Sequence, residues 1–401
     1  MILLSGFPPD IRVEKEVESL LSSQSVYLLC TRRSGEPKTV SLDRLQVSRV
    51  FGGLGRRWAS WRLMSTCYSH AWRKEIDRFI RENRLDVLHV HDLPLAGAAL
   101  KAARSNGIPI VVDLHEDFPA LLHEVQKIPY GQIPSLGVLG LKVAASVPRW
   151  RENERRIVRE VNAVIAVVEE AGARMRDLGV DDSRVHVVPN YCPVPEHAKP
   201  DRSSDSETVT AVYIGGFDQA RDLRTVLDAA DLLSRRGCSD LTISLVGGSG
   251  RDIALLRSYA HRKKLDVSNV SFSQWMDRAK AEAIVDDAQI GLVPHVKSAH
   301  TDSTIPHKLF QYMARQLPVV ASNCVPLARI VGDSGCGLVY QSGDAVSLAA
   351  CLEKLYRNPA ERTRMGNAGF VAAQTSYNWR VAEDKLLDAY RQIEIEKRDR
   401  F

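Results

Sequence analysis

His300-Thr301-Asp302-Ser303-Thr304-Ile305-Pro306-His307-Lys308-Leu309-Phe310-Gln311-Tyr312-Met313-Ala314, followed by the apolar run Leu317 to Ala321, is the stretch on which the architecture turns. It reads as a polar loop, a Pro in the first turn of a short amphipathic helix, and then a buried strand. Hydroxyls, His and Asp feeding a helix start suit an anionic or polyol ligand. The unpaired N–H groups and the positive end of the helix dipole both face such a loop. An ordinary Ser/Thr-capped helix fits the same pattern, and pattern alone leaves both readings open.

On either side of this stretch, short β-rich apolar runs alternate with helical periods, as in a parallel α/β sheet. Strands are expected at 2–5, 26–30, 87–90, 110–114, 163–167 and 185–188, with helices over 10–21 and 95–105. The alternation restarts at 209–214 and continues through 242–246, 270–272, 290–293, 319–321 and 337–340. Between the two series lie Pro189-Asn190-Tyr191-Cys192-Pro193-Val194-Pro195 and then Lys199-Pro200-Asp201-Arg202-Ser203-Ser204-Asp205-Ser206, a Pro-dense and then Ser/Asp-rich linker. The fold class expected is α/β, with two doubly wound Rossmann-like domains facing each other across a cleft and ligands at the carboxyl ends of the strands.

Bulk properties narrow the function. The chain has 401 residues, enough for two domains, with 44% hydrophobic and 26% charged residues. A net charge of +5 allows an anionic substrate or an anionic membrane surface and is too weak to argue for nucleic acid. Seven Cys at irregular spacing, without a CxxC pair, suggest reduced thiols. The N-terminus lacks the basic and apolar regions of a signal peptide, and no apolar run approaches ~20 residues. A cytoplasmic protein is expected, with peripheral contact at the inner face of the plasma membrane. For that contact the candidates are Arg56-Arg57-Trp58-Ala59-Ser60-Trp61-Arg62-Leu63, Trp72-Arg73-Lys74 and Pro148-Arg149-Trp150-Arg151, although surface helices with Trp packed beneath fit as well.

The residues able to carry chemistry stand at the ends of expected strands. Gly6 follows the first strand, where a glycine lets backbone approach a ligand or makes a tight turn. His115 follows the strand at 110–114, flanked by Asp113 and Glu116. It suits donation to a sugar hydroxyl, or a structural pairing with a carboxylate. His89 and His91 share one face of their strand, but two His without a matched third ligand argue for packing and cleft-wall residues rather than a metal site. Gly215 and Gly216 precede Arg221 at a helix start, an arrangement suited to a diphosphate. Gly248 lies in a Gly-rich strand-to-helix turn that lacks the G-x-G-x-x-G spacing. Trp275 follows the next strand and suits stacking on a base or core packing.

The opening stretch resembles the donor-binding segment of GT-B glycosyltransferases, specifically the large retaining family 4. Members often read P-x-K-L-F-E-Y-M-A-x-G-x-P-V-V-A-S there. This chain has Pro306, Lys308, Leu309, Phe310, Tyr312, Met313, Ala314, Pro318, Val319, Val320, Ala321 and Ser322. Gly6-Phe7-Pro8-Pro9-Asp10-Ile11-Arg12, Asp86-Val87-Leu88-His89-Val90-His91-Asp92, Val112-Asp113-Leu114-His115-Glu116 and Val187-Val188-Pro189-Asn190 resemble the family's first turn, its next two motifs and its interdomain junction.

The resemblance implies an N-terminal acceptor-side domain over 1–190, a linker at 191–206, and a nucleotide-sugar donor-binding domain over 207–376. A helix from 377–401 would cross back onto the first domain. It implies donor binding by Gly6, Gly215, Gly216, Arg221, Gly248, Trp275, Asp302, Ser303, Thr304, Ile305, Lys308 and Gln311. His115 would touch the transferred sugar, and His91 and Glu116 would lie on the acceptor side. Two departures stand out: Ser303 and Gln311 replace the family's pair of Glu, and Gly216 replaces the first of two cations. The activity implied is retaining, metal-independent transfer from a nucleotide-diphosphate sugar, a substrate rather than a cofactor. The acceptor would be a saccharide or lipid-linked, in surface-polysaccharide synthesis. A nucleotide-sugar epimerase and a non-catalytic sugar-nucleotide-binding scaffold are the alternatives.

Overall fold

The computed structural model describes residues 1–51, 62–128, 136–197, 208–238 and 240–398, with side-chain burial to 395. Two compact units result, one of Met1–Pro189 with Ala382–Phe401 and one of Asn190–Val381. The chain thus passes between units at Pro189 and again inside the last helix, Trp379–Arg398. Tyr191 and Cys192, expected in a linker, are buried residues of the second unit, and the remainder of that linker from 198 lies outside the described residues.

The first unit contains β1 (Val26–Thr31), β2 (Thr39–Leu42), β3 (Leu45–Val50), β4 (Leu88–His91), β5 (Ile110–Leu114), β6 (Ala163–Ala166) and β7 (Val185–Val187). β3 runs parallel to β1 and antiparallel to β2, whereas β4 to β7 are parallel neighbours in chain order. The expected strand at 2–5 appears only as bridges from Ile2 to Leu29 and to Val90. Its backbone is nevertheless bonded on both edges: Ile2 N–H donates to His89 O (2.8 Å) and Leu3 N–H to Leu29 O (2.9 Å). Pro8 and Pro9 follow within a few residues and cannot donate to a ladder, which keeps the segment short. Because β1 lies on one side of it and β4 on the other, the order of strands reverses here.

In the second unit β8 (Val209–Ile214), β9 (Leu241–Gly248), β10 (Val270–Gln274), β11 (Ile290–Val293), β12 (Val319–Ser322) and β13 (Gly337–Tyr340) form one parallel sheet, ordered β10-β9-β8-β11-β12-β13. The order reverses between β8 and β11, which pair only at Ile290–Ala211 and Gly291–Val212 before parting. Tyr312 fills the gap: its hydroxyl accepts from Ile214 N–H (3.2 Å) and donates to Val212 O (3.3 Å). Gly291 makes room for the ring, since a Cβ there would lie 2.4 Å from it. Tyr312 belongs to the helix His307–Met313. Pro306 lies one residue before that helix rather than in its first turn. It is extended at ψ 140°, with its carbonyl taking the first bond from Leu309 N–H at 3.3 Å.

Of the two readings left open for Trp72 and Trp150, the structure shows the Trp packed beneath a surface helix. Both indoles are fully buried, and Trp150 Nε1 donates to Met64 O at 3.0 Å, so only the flanking cations face outward. The remaining candidate, 56–61, lies outside the described residues. Among the described residues no helix is long and apolar enough to cross a membrane.

Tyr312→Phe keeps the ring and removes the acceptor of the Ile214 N–H and a donor to Val212 O at the strand divergence. Urea denaturation should show a loss of about 1–3 kcal/mol. A change within about 0.3 kcal/mol would mean that the hydroxyl does not hold these strands.

Candidate functional site

Each strand reversal collects the polar residues of its unit, as open parallel sheets generally do. In the first unit the helix Ile11–Leu21 starts just after the central segment. Asp10 caps it, accepting from the Arg12 and Val13 amides. Its buried side carries Arg12 and Glu16 beside Val13, Val17 and Leu20. Arg12 grips Asp113 with two bonds, Nε to Oδ2 and Nη2 to Oδ1, both 2.9 Å, and donates from Nη1 to Val188 O at 2.8 Å. The pairing of His91 with Asp113 across β4 and β5 sets Asp113 and the imidazoles side by side.

Asp113 Oδ2 lies 3.1 Å from His115 Nε2, and His91 Nδ1 lies 3.2 Å from the same nitrogen. Asp92 accepts from the His115 amide at 3.2 Å. The side chains of His115 and Asp92 are 21% and 37% exposed, whereas those of His91 and Asp113 are 2% and 0% exposed. His115 and Asp92 are therefore the reachable edge of this cluster. Burial alone would lower the His115 pKa, but Asp92 and Asp113 outweigh it and push it up to about 10. Burial would likewise raise Asp113, yet Arg12 and then His115 hold it well below the carboxylate range. Burial lowers His89, and burial with His89 lowers His91 further, so both imidazoles are neutral. Burial and the neighbouring Asp113 raise Glu16 well above its usual value.

Gly6 is covered by Arg33, whose Nη2 donates to Gly6 O at 2.9 Å and whose Nε would meet a Cβ there at 2.7 Å. Close approach is thus what this glycine permits, and its φ is not positive. Glu116 is half-buried. Sequence reasoning passed over Arg12, Glu16 and Asp92. The first two were legible as charges four residues apart inside an otherwise apolar helix stripe.

In the second unit β8 is followed by Gly215, at φ +140°, and Tyr213 donates its hydroxyl to Gly216 O at 2.6 Å. Lys308 Nζ lies over the Tyr213 ring at 4.0 Å from its centroid, close to where a Gly215 Cβ would be. Burial and then Arg221 lower this amine well below its usual range. Arg221 Nε bonds Asp218 at 3.0 Å, and Nη1 lies 2.8 Å from His295 Nε2. His295 follows β11 and is buried; burial and then Arg221 lower its pKa strongly, so it is the neutral acceptor that aims the guanidinium. This residue was missed by sequence reading. Its signal is a lone His just past an apolar strand at the order reversal.

The loop that opened the sequence reading is held by its own polar groups. Asp302 accepts from the Val325 amide at 2.8 Å and pairs with Lys297 at 3.2 Å, so it caps the helix Val325–Ser334. Ser303 Oγ donates to the carbonyls of Ala299 (3.1 Å) and His300 (2.9 Å). Ile305 is buried and its carbonyl accepts from Asn190 at 3.0 Å; Thr304 and Gln311 are half-buried. Gly248 gives space to Phe217, whose ring a Cβ would meet at 2.4 Å. Trp275 is 69% exposed rather than packed. Next to it in sequence, Gln274 lines a cavity of about 310 Å³ with Phe272, Arg257 and Gly250.

Comparison with known proteins agrees with this geometry. Residues 21–192 match the family described as Glycosyltransferase Family 4, and residues 208–358 match Glycosyl transferases group 1. The chain is 26% identical over 331 residues to a phosphatidyl-myo-inositol mannosyltransferase of Mycobacterium leprae, covering 81% of this chain and 78% of that one. It is 25% identical to an amylovoran biosynthesis glycosyltransferase of Erwinia amylovora over 47% of this chain and 46% of that one. Among solved structures, sucrose-phosphate synthase from Thermosynechococcus elongatus superposes with a TM-score of 0.77 at 16% identity, over 98% of each chain. Anabaena HepE in complex with UDP superposes at 0.67 and 12% identity, again over 98% of each chain.

Removing the Arg12 guanidinium strands Asp113 without its buried counter-charge. Arg12→Met should cost about 3–5 kcal/mol of stability at neutral pH, read from urea unfolding. A loss under about 1 kcal/mol would show that the fork is dispensable.

Proposed function

This chain belongs to the GT-B glycosyltransferases related to family 4, and from that premise we propose that it is a retaining, metal-independent hexosyltransferase using a nucleotide-diphosphate sugar. The observation that carries the proposal is Arg221, aimed by neutral His295 at the strand reversal, with Lys308 beside the Gly215 turn. A guanidinium, a lysine amine and a glycine turn of positive φ suit a diphosphate. A diphosphate beside the Lys308 amine would favour its protonated form and so provide the second positive charge that Gly216 cannot.

Gln311 then takes the ribose hydroxyls, neutrally, where the family uses Glu. The nucleobase reaches the end of β10, beside Trp275. In the first unit His115, a protonated donor between two carboxylates, bonds the transferred sugar, with Glu116 toward the acceptor; His91, 2% exposed, stands behind His115 rather than facing the acceptor. Asp302 and Ser303 shape the loop, and backbone groups from Ser303 to Ile305 meet the sugar. The departing phosphate oxygen accepts the acceptor's proton, so catalysis is orientation and electrostatics, with no carboxylate base. The names of the two relatives support transfer to a saccharide or lipid-linked acceptor in surface-polysaccharide synthesis over epimerisation. Peripheral contact with an anionic membrane at the cytoplasmic face belongs to the same reading.

A thermal-shift screen against UDP, GDP, ADP and dTDP and their sugars should give a shift with one nucleotide class. Losing one charge-assisted contact costs about 1.5–3 kcal/mol, so Arg221→Ala should weaken that nucleotide roughly 10–100-fold, and Gln311→Ala should weaken it as well. His115→Ala should keep the shift and lower transfer about 100-fold or more, with the wild-type product retaining the donor's anomeric configuration by NMR. Absence of any nucleotide shift in the folded wild type would sink the transferase reading in favour of a scaffold.

A further inference from the structure

Behind His115 three polar atoms converge: Glu16 Oε2, His89 Nε2 and His91 Nε2. Glu16 Oε2 lies 3.8 Å from His89 Nε2 and 3.9 Å from His91 Nε2. These separations are too long for hydrogen bonds, and none of the three atoms has a hydrogen-bond partner among the described residues. Their side chains are at most 2% exposed. Three unpaired buried groups would cost roughly 1–3 kcal/mol each, so the space between them calls for a guest.

Size and chemistry identify the guest. A water bonding two groups at about 2.8 Å and a tetrahedral angle holds them roughly 4.6 Å apart. An ion bound at about 2.1 Å in tetrahedral geometry holds its ligands roughly 3.4 Å apart. The observed 3.8 and 3.9 Å lie nearer the ion's spacing, within a contraction that side-chain rotation supplies. The outer partners are those of ligating imidazoles. His89 Nδ1 lies 2.7 Å from the Tyr390 hydroxyl, and His91 Nδ1 lies 3.2 Å from His115 Nε2 and 3.4 Å from Asp113 Oδ2; in the tautomer with the proton on Nδ1, directed at Tyr390 and at Asp113, each Nε2 keeps its lone pair for an ion. Arg12 Nε approaches the other Glu16 oxygen, Oε1, at 2.9 Å. Asp113, already taken by Arg12 and His115, borders the site, within the 4.8 Å span of the four ligand-type side chains.

We propose that Glu16, His89 and His91 bind a buried divalent transition-metal ion of the zinc class, tying the helix Ile11–Leu21 to β4 behind His115. Two imidazoles and one carboxylate favour zinc, cobalt or iron over calcium and magnesium, which prefer oxygen ligands. Three protein ligands leave one position for water. The ion is structural and takes no part in the transfer chemistry, so the proposal stands or falls independently of the transferase reading.

Tag-free full-length protein from zinc-supplemented culture should carry about one zinc per chain by elemental mass spectrometry. After chelator treatment and titration with Co2+, it should show the visible absorption of a four-coordinate cobalt centre with nitrogen ligands. Zinc should raise the wild-type melting temperature and chelator should lower it. Glu16→Gln and His91→Asn, checked for folding by circular dichroism, should lose affinity by more than the 10–100-fold typical of an outer-sphere change. Wild-type protein holding far less than one ion by both routes would overturn the site and leave a buried water in its place. So would full stoichiometry in either folded variant. Should both variants fail to fold, wild-type stoichiometry and the cobalt spectrum decide alone.

Discussion

Two parallel strands that part company leave backbone groups with nothing to bond, and the Tyr312 hydroxyl repairs this where β8 and β11 diverge. Much of the second unit's chemistry hangs on that repair. Gly291 must lack a side chain so that the ring fits, and the ring fixes the rotation of its helix about the sheet. Lys308 lies one helical turn before Tyr312 and therefore projects on the same face, over Tyr213 and beside Gly215. A contact that reads as fold maintenance thus also sets where a binding cation stands.

The first unit meets the equivalent demand with charge. Its reversal is surrounded by Arg12, Glu16, Asp113 and three imidazoles, almost all withdrawn from water. Burying so many ionisable groups is unfavourable unless they satisfy one another. The bidentate Arg12–Asp113 contact does this at the centre, while Asp92 and Asp113 hold His115 protonated against burial and the nearby Arg12 charge. Geometry and ionisation are set by the same contacts, so a substitution at Arg12 moves both.

The sheets were legible because runs such as Val209–Ile214 and Ile290–Val293 are short, β-branched and buried on both faces. The pairing at 39–50 was not: Thr39–Leu42 is largely exposed and carries no continuous apolar run. Trp72 and Trp150 stayed ambiguous because Arg and Lys flank them, and sequence gives no direction to an indole on a helix that is basic on one side and apolar on the other. His115 was legible at a strand end, Arg221 at a helix start after a glycine turn, and Lys308 through the motif of the family the chain resembles. The partners that aim them, His295, Asp92 and Arg12, were hidden because each acts across a distance in sequence that only the strand order closes. Asp302 and Ser303 show the reverse, polar residues that looked ligand-facing but hold their own loop.

The central segment of the first sheet precedes in the chain both strands that flank it. Ile2 is bonded to residues of β1 and of β4, and can take its place only after β4 has been synthesised. Tyr390, whose hydroxyl meets His89 on that same β4, follows the whole second unit in the chain. Long-range closures of this kind are slow to form. The nascent chain must therefore hold an incomplete sheet, its buried histidine still uncovered, while the second unit is made.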